Sequence, residues 1–403
     1  MDSERLARAV DLMTRLRYDA LLCRVPEHVF MLTGYLPVMG NSFCLVRLDP
    51  GGRLQVLLAV PEDERDLVPP GAADDVRTFS EETGAQIQDT LQAVRECLQV
   101  LLISAALGPR CVIGYEGGQH PITAPYTQVG FPGKATVDLL RQLRPEAELV
   151  DATPLLDRLA AFRTQAELGL MRQATTLAIL GFDAARSAIV PDATEADVEA
   201  QSTAAIIAAG RRDYPDKHIA AHVHVMSGER SARAYRAYNT TSDRMLQRGD
   251  PVLVQMEVCV GGCWAELTRT FFVGEISRQW EVVLGACMRA QREALYKIRP
   301  GASGSKVDAE ARKVMRDAGL GEAFRHGLGH GVGLQAINHG AQPRLHPASG
   351  DVLHPGMTHN VEPAAYLDGQ GGLRLNDNVL VIPTGCQLLS QGLPRAVDWL
   401  VAG

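Results

Sequence analysis

One order of elements occurs twice in the second half of this chain, and it limits the fold more than any other feature. Thr164 and Glu167 form a capping box ahead of Leu168, Met171, Ala178 and Phe182, and Thr194 with Asp197 opens a second helix that is predicted to end at Gly210. Strand-forming runs follow: IAAHVHVM, VLVQMEVCV (252–260) and CWAELTRTFFVG (263–274), with Gly261-Gly262 turning the last two into a hairpin. Two more helices are predicted over 278–298 and 305–318, separated at Arg299-Pro300-Gly301. Strands are then expected in the histidine segment at 325–334, in THNVEPAAY (358–366), in GLRLNDNVLVI (372–382) and in CQLLS. Two helices, strands, two helices, strands is a duplicated unit, and the order predicts an α+β fold with an internal pseudo-repeat.

The first part of the chain reads differently. Leu6, Val10, Met13 and Leu16 recur at helical spacing over residues 3–17. The runs DALLCRV (19–25), FCLVRLD (43–49) and RLQVLLAV (53–60) favour strands, the last two joined by Pro50-Gly51-Gly52. Helical stretches at 84–104 and 134–144 separate the strands CVIGYE (111–116) and ELVDA (148–152). Alternating strands and helices predict a small α/β domain over 1–155, followed by the duplicated domain over 160–403.

Composition excludes several roles. In 403 residues there are 40 Lys and Arg against 47 Asp and Glu, a formal charge of -7, with no basic cluster longer than a pair such as Arg211-Arg212. A nucleic-acid or anionic-membrane partner needs a clustered basic surface, so neither is expected. No run approaches the ~18 apolar residues of a membrane span. The N-terminus is charged throughout and lacks the pattern of a signal peptide, which predicts a cytoplasmic protein. The eight cysteines are scattered in apolar surroundings and read as reduced thiols; Cys259 and Cys263 lack a second pair at zinc-finger spacing.

The chemistry concentrates in RHGLGHGVGL (325–334), where His326 and His330 lie among four glycines. That density suits backbone running close to a ligand. Strand alternation puts Gln255 and Glu257 on one face, and Glu266, Thr268 and Thr270 on one face of the hairpin partner. Glu362 interrupts an apolar run, and Arg374, Asn376 and Asn378 alternate with Leu373, Leu375 and Val379. Each acid singly reads as a salt-bridge partner. Together they predict a polar site, because burying carboxylates is costly unless they are paired, hydrogen-bonded or metal-bound.

These residues resemble the pita-bread fold family that contains methionine aminopeptidase, aminopeptidase P, prolidase and creatinase. The likeness runs through FMLTGY (30–35), SGERSA (227–232), ELTRTF (266–271), HGLGHGVGL, LHPGMTHNVEPAAY and GGLRLNDNVLV in the family's order. It implies a small N-terminal α/β domain, a pita-bread C-terminal domain and a homodimer. Family metallopeptidases hold two divalent cations with two Asp, one His and two Glu. Here the first Asp is Gln255, the second is Glu266, the His is His330, the first Glu is Glu362 and the second is Asn376. Glu257 stands where the family usually has a glycine. Four carboxylates balance two dications, whereas two balance one, so the resemblance implies either no metal or one divalent cation on Glu266, His330 and Glu362, with Asn376 as a weak ligand. Creatinase works without metal, but its catalytic histidine falls at Tyr238, its catalytic glutamate at Thr268 and its substrate-clamping arginine near Asn41.

The resulting expectation is a hydrolase that cleaves a C–N bond in a small amide, amidine or peptide-like substrate. A mononuclear Xaa-Pro peptidase-like metallohydrolase, a binding-only descendant and a lyase stay open. His330 is expected to carry the proton, its pKa raised by Glu266 and Glu362. Glu257 is expected to position or deprotonate water. His326, His339, Tyr238, Gln255, Arg374 and Asn376 are expected to contact substrate.

Overall fold

The computed structural model describes residues 2–38, 42–80, 84–85, 87–118, 134–236 and 240–403. Tyr238 and Asn41 lie outside these residues. The described residues divide into two compact units, 2–118 with 134–160, and 161–403.

In the first unit, α1 (Ser3–Leu16) is capped by the Asp2 side chain and followed by β1 (Ala20–Cys23), α2 (Pro26–Thr33), β2 (Phe43–Leu48), β3 (Leu54–Pro61) and β4 (Asp75–Phe79). Then come α3 (Thr90–Ser104), β5 (Val112–Tyr115), α4 (Lys134–Leu143), β6 (Glu148–Asp151) and α5 (Thr153–Ala161). The six strands form one mixed sheet in the order β4-β3-β2-β1-β5-β6. All four residues of the inner strand β1 are buried, and this explains why its sequence is apolar without alternation.

The second unit begins with α6 (Gln165–Ala188) and α7 (Glu195–Asp213), and both expected capping boxes form at Thr164 and Thr194. Helix α7 continues one turn past the expected stop at Gly210. The strands β7 (Ile219–Ser227), β8 (Pro251–Val260) and β9 (Cys263–Val273) pair antiparallel in sequence, β8 and β9 turning through Gly261 and Gly262 at φ of 58° and 92°. Every residue of β8 is buried, because helices cover the sheet and β7 and β9 flank it. The second repeat supplies α8 (Arg278–Lys297), α9 (Gly304–Asp317), β10 (Thr358–Val361), β11 (Ala364–Leu367), β12 (Gly371–Arg374), β13 (Asp377–Ile382) and β14 (Gly385–Leu388). A short helix, α10 (Val397–Leu400), leads into β15 (Val401–Ala402), which pairs parallel with β9.

Two sequence expectations are corrected here. The histidine segment is not a strand: it forms isolated bridges, Gly329 to Leu345 and Gly331 to His359, and no continuous ladder. The runs 358–366 and 372–382 are each two strands. Pro363 lacks the N–H that a continuous ladder requires, so β10 pairs with β13 while β11 pairs with β12. Glu362 and Asn376 sit at the two halves of this bend, and Asn376 bridges to Thr268 of β9. The bend brings the second repeat's polar residues onto the first repeat's hairpin.

Candidate active site

The β8–β9 hairpin supplies the floor. Its register sets Glu257 opposite Glu266 and Gln255 opposite Thr268, while β7 places His222 opposite Glu257 and His224 opposite Gln255. Two carboxylates directly opposite one another repel, so the row needs a proton or cations nearby. Asn378 anchors Glu266 from the other repeat: its Oδ1 accepts the Glu266 N–H at 3.0 Å and its Nδ2 donates to the Glu266 carbonyl at 2.7 Å. Asn378 is therefore a positioning residue.

His330 arrives on the glycine-rich segment. A Cβ on Gly329 would lie 2.2 Å from the Asn360 carbonyl oxygen, and one on Gly331 would lie 2.1 Å from that of Gln342. The glycines thus admit the protein's own backbone, not a ligand, and this close approach fixes the histidine. Its Nδ1 donates to the Gly331 carbonyl at 3.1 Å, which leaves Nε2 as an acceptor facing Glu266 Oε2 at 3.6 Å and Glu362 Oε1 at 3.9 Å. The His339 ring stands edge-on to it, centroids 5.0 Å apart. His326 is held similarly, Nδ1 on the Gly327 carbonyl at 2.8 Å and Nε2 on the Tyr366 hydroxyl at 3.0 Å.

A cavity of about 530 Å³ opens over these groups, lined among others by Gln255, Glu266, His326, His330, His339, Glu362 and Arg374. That size suits a small-molecule ligand. Two of the expected site residues stand behind its wall. Glu257 is completely buried; one oxygen takes the Gln255 amide hydrogen at 2.5 Å and the other lies 3.5 Å from His224 Nε2. Asn376, also buried, donates its amide to Glu266 Oε1 at 3.2 Å. The expected role of Glu257 in handling water is corrected accordingly: it reaches the cavity through Gln255, whose oxygen accepts from Arg374.

Electrostatics revise a second expectation. Burial pushes the Glu266 carboxyl well above its ordinary range, and Glu362 and Glu257 push it further. Burial raises Glu362 to about 7 against the opposing pull of Arg374 and the Asn360 amide. His330, expected to be raised by these acids, is instead lowered to about 3 by burial and by His339. His326 falls to about 3 through burial and then Arg374, and His339 is lowered for the same two reasons. Desolvation disfavours charge on all of these groups, so burial lifts the carboxyls and lowers the imidazoles.

Asn360 is the residue that the sequence reading missed. It lies two positions before Glu362 on β10, so strand alternation alone puts it on the same face. Tyr366, which orients His326, was missed because a Tyr in an apolar run reads as core.

A duplicated helix-pair and strand unit, closed around a cavity lined by carboxyls and a histidine, defines the pita-bread class. The chain belongs to metallopeptidase family M24, whose family model matches residues 169–383. It is 36% identical over 235 residues to a probable dipeptidase PepE of Mycobacterium bovis, a match covering 58% of this chain and 60% of that protein, less than two thirds of its length. Similarity to the Xaa-Pro dipeptidase of Pyrococcus furiosus extends further, 25% identity over 393 residues, 96% of this chain and 98% of that one. The Xaa-Pro dipeptidase structure from Bacillus anthracis shares the fold with a TM-score of 0.79 at 20% identity, covering 99% of each chain. Each of these relatives is named for dipeptide hydrolysis, the cleavage of a C–N bond.

The residues present do not fit the pair of divalent cations that the family's metallopeptidases carry. Gln255 gives its oxygen to Arg374 and its amide hydrogen to Glu257, and Asn376, whose Nδ2 donates to Glu266, brings a neutral oxygen where balancing a second dication needs a carboxylate. Among the described residues, no group of three or more His, Cys, Asp or Glu is placed to hold a metal ion. No helix among them is long and apolar enough to cross a membrane.

Proposed function

We propose that this protein hydrolyses the C–N bond of a small amide or dipeptide-like substrate with a pair of carboxyls in place of a two-metal centre. The observation that carries this reading is the convergence of Glu266, Glu362, His330 and Arg374 on one cavity. Glu362, within 3.9 Å of Arg374, keeps a carboxylate that takes a proton from water as the water oxygen bonds to the substrate carbonyl carbon. Negative charge then develops on the carbonyl oxygen, where the Arg374 guanidinium stabilises it in a dry site. Glu266, protonated, gives its proton to the leaving nitrogen as the C–N bond breaks. The products are a carboxylic acid and an amine, and transfer of one proton from Glu362 to Glu266 restores the pair. Two carboxyls with separated proton affinities are a recurrent acid–base device. Neutral His330 stands between them, its Nε2 taking the Asn360 amide hydrogen. His326 and His339 line the substrate's side, and Glu257 acts at one remove by fixing Gln255 on Arg374.

The test is a screen of small amides, amidines and Xaa-Pro dipeptides with and without chelator. Hydrolysis of one class, unchanged by chelator, is expected, with Xaa-Pro turnover absent or very weak. Robust manganese- or cobalt-stimulated Xaa-Pro turnover that chelator abolishes would overturn the reading. That outcome would support the second one, a mononuclear Xaa-Pro peptidase, which the end-to-end similarity to an Xaa-Pro dipeptidase favours.

A further inference from the structure

We propose that the side-chain amide of Asn360 stands in the place of a cation, holding Glu266 and His330 together beside Glu362 and keeping divalent metal out of the centre. The proposal uses the site described above but not the reaction assigned to it, since metal binding is read independently of turnover.

The orientation of this amide is dictated by its surroundings. Asn360 Oδ1 accepts the backbone N–H of His330 at 2.7 Å. A backbone N–H can only donate, so the oxygen must face it and the NH₂ group must face the other way. On that other side, Nδ2 lies 3.2 Å from Glu266 Oε1 and 3.3 Å from His330 Nε2. The His330 ring is turned by its bond to Gly331, so Nε2 presents a lone pair to this donor. Glu362, the third member of the set, lies 3.9 Å from the same His330 Nε2. Two of the three side chains that the resemblance implies for a single cation, Glu266 and His330, therefore share the two N–H hydrogens of one amide.

The amide cannot swing away. Asn360 is fully buried, and its backbone N–H donates to the His330 carbonyl at 3.0 Å while β10 pairs it with Asn378 of β13. Turning the side chain would leave the His330 N–H unsatisfied in the interior, which a buried donor does not tolerate cheaply. A first-row divalent ion needs its nitrogen and oxygen ligands at about 2.0–2.2 Å, so it would have to sit among the acceptors these hydrogens address. Two partially positive hydrogens aimed at that point oppose a dication. Arg374, beside Glu362 and Gln255, supplies the full positive charge that the acids require.

The experiment is elemental analysis of the purified chain, followed by calorimetric titration with Mn²⁺ and Zn²⁺ of the parent, Asn360→Asp and His330→Ala. The parent is expected to carry and bind less than one equivalent, and neither ion nor chelator should move its unfolding temperature. Asn360→Asp replaces the donor with a third carboxylate and should gain one bound ion per chain. One equivalent bound by the parent and lost in His330→Ala would overturn the proposal. So would a folded Asn360→Asp that still refuses both ions. If Asn360→Asp fails to fold, the parent and His330→Ala measurements decide alone. A negative substrate screen alongside the expected metal results would sink the proposed reaction and leave this inference standing.

Discussion

Glu266 and Glu362 can each be replaced by Gln with nearly the same shape, and at 266 an oxygen is left to accept the Asn360 amide hydrogen. Both variants should keep the parent's unfolding temperature to within a few degrees yet lose about 10²-fold or more in kcat, the scale of a lost acid or base. Stopped assays on the substrate found by the screen, paired with thermal melts, would check this; kcat within twofold of the parent would place the chemistry elsewhere. A different charge pair governs stability. Arg269 and Asp377, both fully buried, are 2.9 Å apart, with Arg395 and Ser390 also on Asp377. Burial pushes Asp377 up, but Arg269, then Arg395 and the Ser390 hydroxyl, hold it below its ordinary 3.8. Burial holds Arg269 below its ordinary value too, opposite to what a pair alone would do, but a guanidinium stays charged throughout the acid range, so the aspartate sets the pH dependence. A carboxyl with a lowered native pKa contributes stability that is complete above 3.8 and is lost as pH falls through the lower native value. Asp377→Asn should therefore flatten the acid limb of a melting-temperature profile. It should also cost about 3–5 kcal/mol near neutrality by stranding Arg269. A profile parallel to the parent's would refute the assignment. None of this network was legible beforehand, since Arg269 and Asp377 are far apart in sequence and each looks like a surface charge.

At the scale of elements, the chain's local signals were reliable wherever the cause was local. Both capping boxes, the Gly261-Gly262 hairpin and the α8 and α9 pair follow from hydrogen bonds or turn geometry within a few residues. The histidine segment shows the opposite case. Its glycines suggested an exposed approach to a ligand, but Gly329 and Gly331 are required because Asn360 and Gln342 backbone atoms occupy the space of a side chain. Gly329→Ala or Gly331→Ala should destabilise the second unit by about 1–3 kcal/mol, since backbone cannot yield as a flexible side chain does. Denaturant unfolding would measure it, and an unchanged midpoint in both variants would contradict the packing. The bend at Pro363 was hidden for a related reason: a proline marks a break, but only the partner strands reveal that β10 and β11 take different neighbours.

For the whole molecule, the largest core cluster draws only on residues 161–402 and includes α6, α8, β8, β9 and β13. Residues 161–403 expressed alone should thus unfold cooperatively, with a single transition by calorimetry; a broad, non-cooperative melt would refute the unit's autonomy. What the sequence determined by itself was the α+β class, the repeated order of elements, the family, and the convergence of Glu266, His330 and Glu362 on one site. Those follow from periodicity, caps and alternation, which act over a few residues, and from motifs kept in order. Only the tertiary structure decided how that site is charged and held. Burial reversed the expected shift of His330, register put Glu257 behind Gln255, and a backbone donor aimed the Asn360 amide at Glu266 and His330. Each depends on desolvation or on a partner many residues away, and such effects exist only once the two repeats have closed on each other.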